Sequence, residues 1–268
     1  MIRFEHLEVA FGDHNAVQDL DLEIHEGEFF TLLGPSGCGK TTVLRALAGF
    51  VSPTSGRILI DGRDVTGVPS ERRGVGMVFQ NYALFPSMNV RDNIAFGLSV
   101  QKVPKAERRR RVDEVSGRAG LSISHLERNV AELSGGQQQR VAIARSLVLT
   151  PRILLLDEPL SNLDAKLRVQ MREQLTRLKH EFGVTTVYVT HDQEEALTLS
   201  DRIAVLDSGR LQQVGAPEEI YDRSATAFVC RFIGESNLIV LDIGGTTAKC
   251  SLVQNGETRI TTEYYLER

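Results

Sequence analysis

"FFTLLGPSGCGKTTVLRALAGF", residues 29–50, holds three features in close succession. An apolar run reads as a buried strand and a glycine-rich turn follows it. Val43, Leu44, Leu47 and Ala48 then recur at helical spacing up to Gly49. The turn, Gly34–Thr42, matches G-x-x-x-x-G-K-[ST] in the strand–turn–helix setting that the motif requires. Gly34, Gly37 and Gly39 let backbone N–H groups turn inward around phosphate oxygens, with Pro35, Ser36, Cys38 and Thr42 completing the loop. Lys40 supplies a point charge for the β- and γ-phosphates of a nucleotide, and Thr41 a hydroxyl ligand for Mg²⁺. The Cys38 side chain is expected to face away from the phosphates.

Upstream, "RFEHLEVAFG" and "VQDLDLEIHEGEFFTLLG" alternate apolar and polar residues or run apolar between glycines, and read as strands. Downstream, "SGRILIDGRDV" is a strand followed by Asp-Gly, a hairpin signal. Residues from about 86 to 145 become helical in pattern, centred on "PKAERRRRVDEVSGRAG", whose Arg108–Arg111 run reads as a solvated face with neighbouring glutamates. "RILLLDEP" is a short apolar run of the kind parallel sheets bury. A helix over Ala165–Phe182, the strand "VTTVYVTH", the helix "QEEALTLS" and the strand "RIAVLDSGR" follow. Strands alternating with helices predict an α/β core with a mainly parallel sheet.

Composition excludes several classes. The chain has 268 residues, 41% hydrophobic and 25% charged, as ordinary soluble domains have. A formal charge of −4 gives no broad basic face for nucleic acid, which is not expected as a partner. Cys38, Cys230 and Cys250 lie far apart without metal-ligand spacing, pointing to a reducing compartment. No apolar run approaches the roughly 20 residues of a membrane span, and the first residues do not read as a signal peptide. The expected location is cytoplasmic, peripheral on the inner face of the cell membrane.

"ILLLDEP" supplies a second half to the site: Asp157, at the carboxyl end of its strand, would hold Mg²⁺ through water, and Glu158 would act as general base. Alone, such a pair reads equally as a surface loop. A third motif lies in "NVAELSGGQQQRVAIARSL", Asn129–Leu147, where Ser134, Gly135, Gly136 and Gln137 open a helix. Glycines are poor helix formers, but unpaired N–H groups at a helix start favour an anion. A simple N-cap with a glycine turn is the alternative.

With these motifs in order, the sequence closely resembles the ATP-binding cassette (ABC) ATPases over about residues 1–235, and Leu133–Gln137, "LSGGQ", is that family's signature. The resemblance implies a P-loop NTPase core with a parallel sheet, an N-terminal antiparallel β subdomain and an inserted helical subdomain. It also implies head-to-tail homodimers in which Ser134–Gln137 touch the γ-phosphate held by the other copy. On the same grounds Phe11 would stack on adenine, unless it is an ordinary core aromatic. Gln80 would sense Mg²⁺ and water and join the subdomains. Asp164 in "SNLD" would cross the dimer interface, and His191 would be the switch histidine.

"NYALFPSMNVRDNIAFGL" and "PLSNLDAKLR" look like the importer branch that serves polyamines, ferric ion, sulfate, phosphonates or sugars. The implied partners are transmembrane permease subunits and, indirectly, a solute-binding protein. Tyr82, Leu84, Phe85, Pro86 and Met88 would form the cleft that receives the permease, with buried packing inside the helical region as the alternative. A soluble ABC ATPase of DNA repair or translation is the second reading, disfavoured because Lys40 to Leu133 is too short for long coiled-coil arms. Residues 236–268 read as a short β-rich appendage, a truncated regulatory domain or a fusion remnant. There "DIGGT" resembles the first phosphate hairpin of hydantoinase and actin-like ATPases, at Asp242, Gly244, Gly245 and Thr246.

Overall fold

The computed structural model describes residues 1–234 and three strands at 238–244, 247–254 and 257–260. The first part of the chain forms β1 (Ile2–Phe11), β2 (His14–Ile24), β3 (Phe29–Leu33), α1 (Lys40–Ala48), β4 (Ser55–Ile60), β5 (Arg63–Asp64) and β6 (Val75–Val78). Helices α2 (Val90–Val100), α3 (Lys105–Arg118) and α4 (Gly135–Leu147) follow, then β7 (Ile153–Asp157) and α5 (Ala165–Phe182). Next come β8 (Thr185–Thr190), α6 (Gln193–Leu199), β9 (Arg202–Asp207), β10 (Arg210–Gly215), α7 (Pro217–Asp222) and α8 (Ala227–Ile233). Strands β11 (Leu238–Gly244), β12 (Thr247–Gln254) and β13 (Glu257–Ile260) form an antiparallel sheet of their own.

Two sheets carry the main body. One is antiparallel, in the order β2-β1-β4-β5, and its last hairpin turns on Asp61 and Gly62, both at positive φ. The other runs β10-β9-β3-β8-β7-β6, parallel throughout except for β10. In β7 every residue is buried, and successive side chains go to opposite faces. Leu154 and Leu156 join the core beneath α2, α3 and α4. Ile153 and Leu155 join the core shared with β1, β2 and α1. The sheet is thus the wall between two apolar layers, which is why the sequence of β7 shows no alternation. Residues 86–145 hold α2, α3 and most of α4. The end of α4 returns to the sheet, where the Ser146 hydroxyl donates to the Met77 carbonyl at 2.9 Å. Among the described residues, no helix is long and apolar enough to cross a membrane.

The topology sets the position of the site. Strand β3 lies between β8 and β9, with β7 beyond β8, so the carboxyl ends of these parallel strands share one edge of the sheet. In open α/β sheets ligands bind outside that edge. The glycine loop follows β3, Asp157 and Glu158 close β7, and His191 follows β8.

Candidate active site

The loop after β3 owes its shape to glycine at two points. Gly39 sits at φ 99° as the N-cap of α1, and a Cβ there would collide with the Ala16 carbonyl oxygen. A Cβ on Gly34 would likewise run into the Leu206 carbonyl. Lys40 is 4% exposed, and its ammonium donates to the carbonyls of Gly34 and Pro35 at 2.8 Å each. Cys38 is buried in the adjoining core, with its sulfur 3.6 Å from the Lys40 nitrogen. Burial pushes its thiol above the ordinary value.

Thr41 and Asp157 meet, the Thr41 hydroxyl donating to Asp157 Oδ1 at 2.9 Å. Asp157 is 4% exposed; burial raises its pKa, opposed by the Thr41 hydrogen bond and by Arg45, whose guanidinium is 3.8 Å from Oδ2. Two hard oxygen donors side by side at the mouth of a phosphate loop are what Mg²⁺ selects, so these residues fit the ion.

Glu158 lies one step beyond the sheet register that pairs Asp157 with Val189. Its N–H donates to the Val189 carbonyl at 3.1 Å, which carries its side chain to the turn after β8. There Glu158 Oε2 is 3.2 Å from His191 Nδ1. The Gln80 amide nitrogen reaches the same carboxylate oxygen at 3.5 Å and Ser161 Oγ at 3.2 Å. Ser161 in turn donates to the Glu158 carbonyl at 2.9 Å, and Asn162 Nδ2 to the Gln80 carbonyl at 2.8 Å. Gln80, expected near Mg²⁺, therefore contacts the carboxylate of Glu158 and not the Thr41–Asp157 pair. Glu158 holds φ 43°, a strained value for a residue with a side chain.

Ser134 caps α4. Its hydroxyl accepts from Gln137 N at 3.4 Å, and Gln137 Oε1 accepts from Ser134 N at 3.0 Å, a reciprocal capping box. Among the described residues, the hydrogen-bond partners of Ser134 lie in its own first turn, with none in the glycine loop after β3. Gly135 and Gly136 face Leu163 and Leu167, so the signature turn is seated against the entry to α5. Asp164 caps α5 by accepting from Leu167 N at 2.8 Å. Phe11, at the end of β1, is 52% exposed, which removes the core-aromatic alternative.

The apolar loop after Gln80 differs from expectation at one residue. Tyr82 is 6% exposed and belongs to the core, its hydroxyl 3.4 Å from the Pro159 carbonyl. It does not line an open cleft. Tyr82 and Ala83 both take positive φ, 61° and 46°, and this turns the tyrosine inward. Arg145 holds that conformation by donating to the carbonyls of Tyr82 and Ala83 at 2.8 and 2.7 Å. Buried Asn93 pins the rest, binding both the N–H and the carbonyl of Phe85. Phe85 remains at the surface, 4.5 Å from the ring of Phe96, with Leu84, Pro86 and Met88 also partly or fully exposed. Arg145 was not singled out from sequence, since its carbonyl partners lie more than 60 residues away, and Asn93 was not because its partners sit in an irregular loop without a local pattern.

A sequence model of the ABC transporter family matches residues 17–161, more than half of the chain. The chain belongs to the ABC transporter ATP-binding family. It is 56% identical to the spermidine/putrescine import ATP-binding protein PotA of Rubrobacter xylanophilus, over 89% of this chain and 63% of that one. With the protein of the same name from Bacillus thuringiensis subsp. konkukian it shares 48% identity over 99% of this chain and 82% of the relative. The Fe(3+) ions import ATP-binding protein FbpC of Agrobacterium fabrum is 53% identical over 94% of this chain and 71% of its own length. The chain spans less than two thirds of some of these relatives, 63% for the Rubrobacter protein and 59% for PotA of Acidothermus cellulolyticus.

Solved structures agree on the fold. That of cbiO1 from Clostridium perfringens, part of the ABC transporter complex cbiONQ, gives a TM-score of 0.75 at 32% identity, over 83% of this chain and 90% of that one. A dimeric post-hydrolysis structure of the cassette MJ0796 bound to ADP and Pi gives 0.71 at 33% identity, over 81% and 99%. A Hydantoinase/oxoprolinase family model also matches residues 224–268, in line with the resemblance read from "DIGGT". Gly245, Thr246 and the side chain of Asp242 lie outside the described residues.

Proposed function

We propose that this chain binds ATP with Mg²⁺ and hydrolyses it as the motor subunit of an importer. The observation that carries the reading is the convergence of His191 and Gln80 on the Glu158 carboxylate, beside the Thr41–Asp157 pair and the Lys40 loop. Lys40 and the loop amides would bind the β- and γ-phosphates, and exposed Phe11 the adenine ring. Thr41 and Asp157 would hold Mg²⁺, which when bound neutralises charge on the phosphate oxygens. Glu158 would take the proton of the attacking water, while His191 and Gln80 fix the direction of its carboxylate. Ser134, Gly135, Gly136 and Gln137 have no role within their own site. This supports their use on the γ-phosphate held by a second copy, with Asp164 at the shared interface.

The partly exposed Phe85 against the exposed ring of Phe96 supports a docking surface for a transmembrane permease, and the subunit would then sit on the cytoplasmic face of the membrane. The names of its relatives favour a polyamine or ferric ion as the solute, delivered by a separate binding protein. The absence of long arms around the signature leaves a repair or translation role without support. Glu158→Gln tests the chemistry. It should keep ATP binding, lower turnover by about 10²–10⁴-fold and accumulate an ATP-dependent dimer in size-exclusion chromatography with light scattering. Hydrolysis at the parental rate would remove Glu158 from the role of base.

A further inference from the structure

His191 is 51% exposed at its side chain, and among the described residues the Glu158 carboxylate is the polar group its ring meets. Burial therefore does not fix the imidazole, and its direction comes from the backbone on either side. Thr190 Oγ1 reaches past His191 to accept from Asp192 N at 3.0 Å, and it donates to Glu195 Oε2 at 2.7 Å. The same oxygen accepts from the Tyr188 hydroxyl at 2.7 Å. Asp192 Oδ1 accepts from Glu195 N at 3.0 Å, capping α6. Thr190 is thus tied to the Glu195 carboxylate and holds Asp192 N in turn. The bond that Asp192 Oδ1 accepts comes instead from the backbone N–H of residue 195, and any residue but proline there would leave it in place.

Glu195 is 3% exposed, in a stretch where Ala196 and Leu199 point into the core. An apolar side chain would satisfy packing there without the cost of burying a carboxylate. The carboxylate is needed for its bonds. Its second oxygen faces Arg168 Nε at 3.8 Å, and that nitrogen is buried without a hydrogen-bond partner, so the contact is one of charge. Arg168 also stands 3.6 Å from Asp192 Oδ2 and donates from Nη2 to the Leu163 carbonyl at 3.3 Å.

We propose that Glu195 is a positioning residue for the hydrolytic step. By holding Thr190, whose hydroxyl in turn accepts from Asp192 N, it aims His191 at Glu158, and through Arg168 it ties that aim to Leu163 in the segment expected to cross the dimer interface. The effect on turnover rests on the ATPase reading; the effect on His191 geometry does not.

The test separates the two. In full-length chain labelled at its six histidines, the His191 imidazole signals are assigned from their loss in His191→Gln. Glu195→Ala should shift them and leave the other histidines in place. Glu195→Gln, which still accepts from Tyr188 and Thr190, should restore them. In parallel, Glu195→Ala should lower kcat by about 10- to 100-fold with KM changed by less than about twofold, and Glu195→Gln should recover most of the loss. Unmoved His191 signals in Glu195→Ala overturn the proposal. If that variant does not fold, near-isosteric Thr190→Val cuts the same tie, and unmoved signals there overturn it equally. Moved signals in a chain that never turns over ATP would retain the positioning role and refute the ATPase reading instead.

Discussion

Glu158 combines the proposed chemical role with a backbone conformation that disfavours it. At φ 43° it lies in the left-handed region, where a Cβ crowds the following carbonyl at roughly 1–2 kcal/mol. Three hydrogen bonds hold it there: its N–H to Val189, and its carbonyl from the N–H and the hydroxyl of Ser161. The informative comparison is Glu158→Gly against Glu158→Ala. Both remove the contacts to His191 and Gln80, so those losses cancel. At an ordinary site glycine is the less stable of the two, by roughly 0.5–1 kcal/mol. Here relief of the left-handed strain outweighs that entropy, and the glycine variant should be more stable by about 0.5–1 kcal/mol. For a chain of this size the difference amounts to about 1–4 °C in Tm. Thermal unfolding followed by circular dichroism at several scan rates measures it, with urea midpoints as a check. Neither variant should turn over ATP. An alanine variant that melts at or above the glycine variant would refute the argument that strain is held at this residue.

Gly39→Ala would add a Cβ against the Ala16 carbonyl at a φ that alanine rarely adopts. It should cost about 1–3 kcal/mol in stability and abolish binding of a fluorescent ATP analogue, whereas unchanged binding would mean that the loop can shift as a body. The surface offers a pH test at His6, whose Nδ1 meets Asp19 at 2.9 Å and Asp21 at 3.1 Å. The Asp19 hydrogen bond first, then the charge of Asp21, raise its pKa above 6.5. The attraction is fully present below 6.5 and is lost as pH rises through the higher folded value. An NMR titration should place the midpoint above 6.5 in the parent and lower in Asp19→Asn; equal midpoints would rule the contact out.

Local signals carried much of the fold. Helix α5 is bounded by an Asp164 cap and by Gly183 at φ 56°, and both ends were legible because caps act within one turn. The buried run of β7 and the glycine loop were legible for the same reason. Strand β6 was not: "VGMV" is short and lacks a pattern, and it becomes a strand only through its parallel pairing with β7. The inward turn of Tyr82 was illegible because Arg145, far along the chain, imposes it. The residues of the site could be named from motifs. Their contacts depend on which strands lie side by side, and the β7–β8 register brings Glu158 and His191 to neighbouring strand ends.

Lys40 brings its charge into a nearly dry pocket, and the two carbonyls at 2.8 Å take the place that water would otherwise fill. Under the proposed binding of ATP, capture of a phosphate oxygen would be an exchange of acceptors at the Lys40 ammonium. Departure of the product would run the exchange backward, with Gly34 and Pro35 reclaiming the proton donors. A lysine seated in this way would favour repeated loading and unloading over permanent capture.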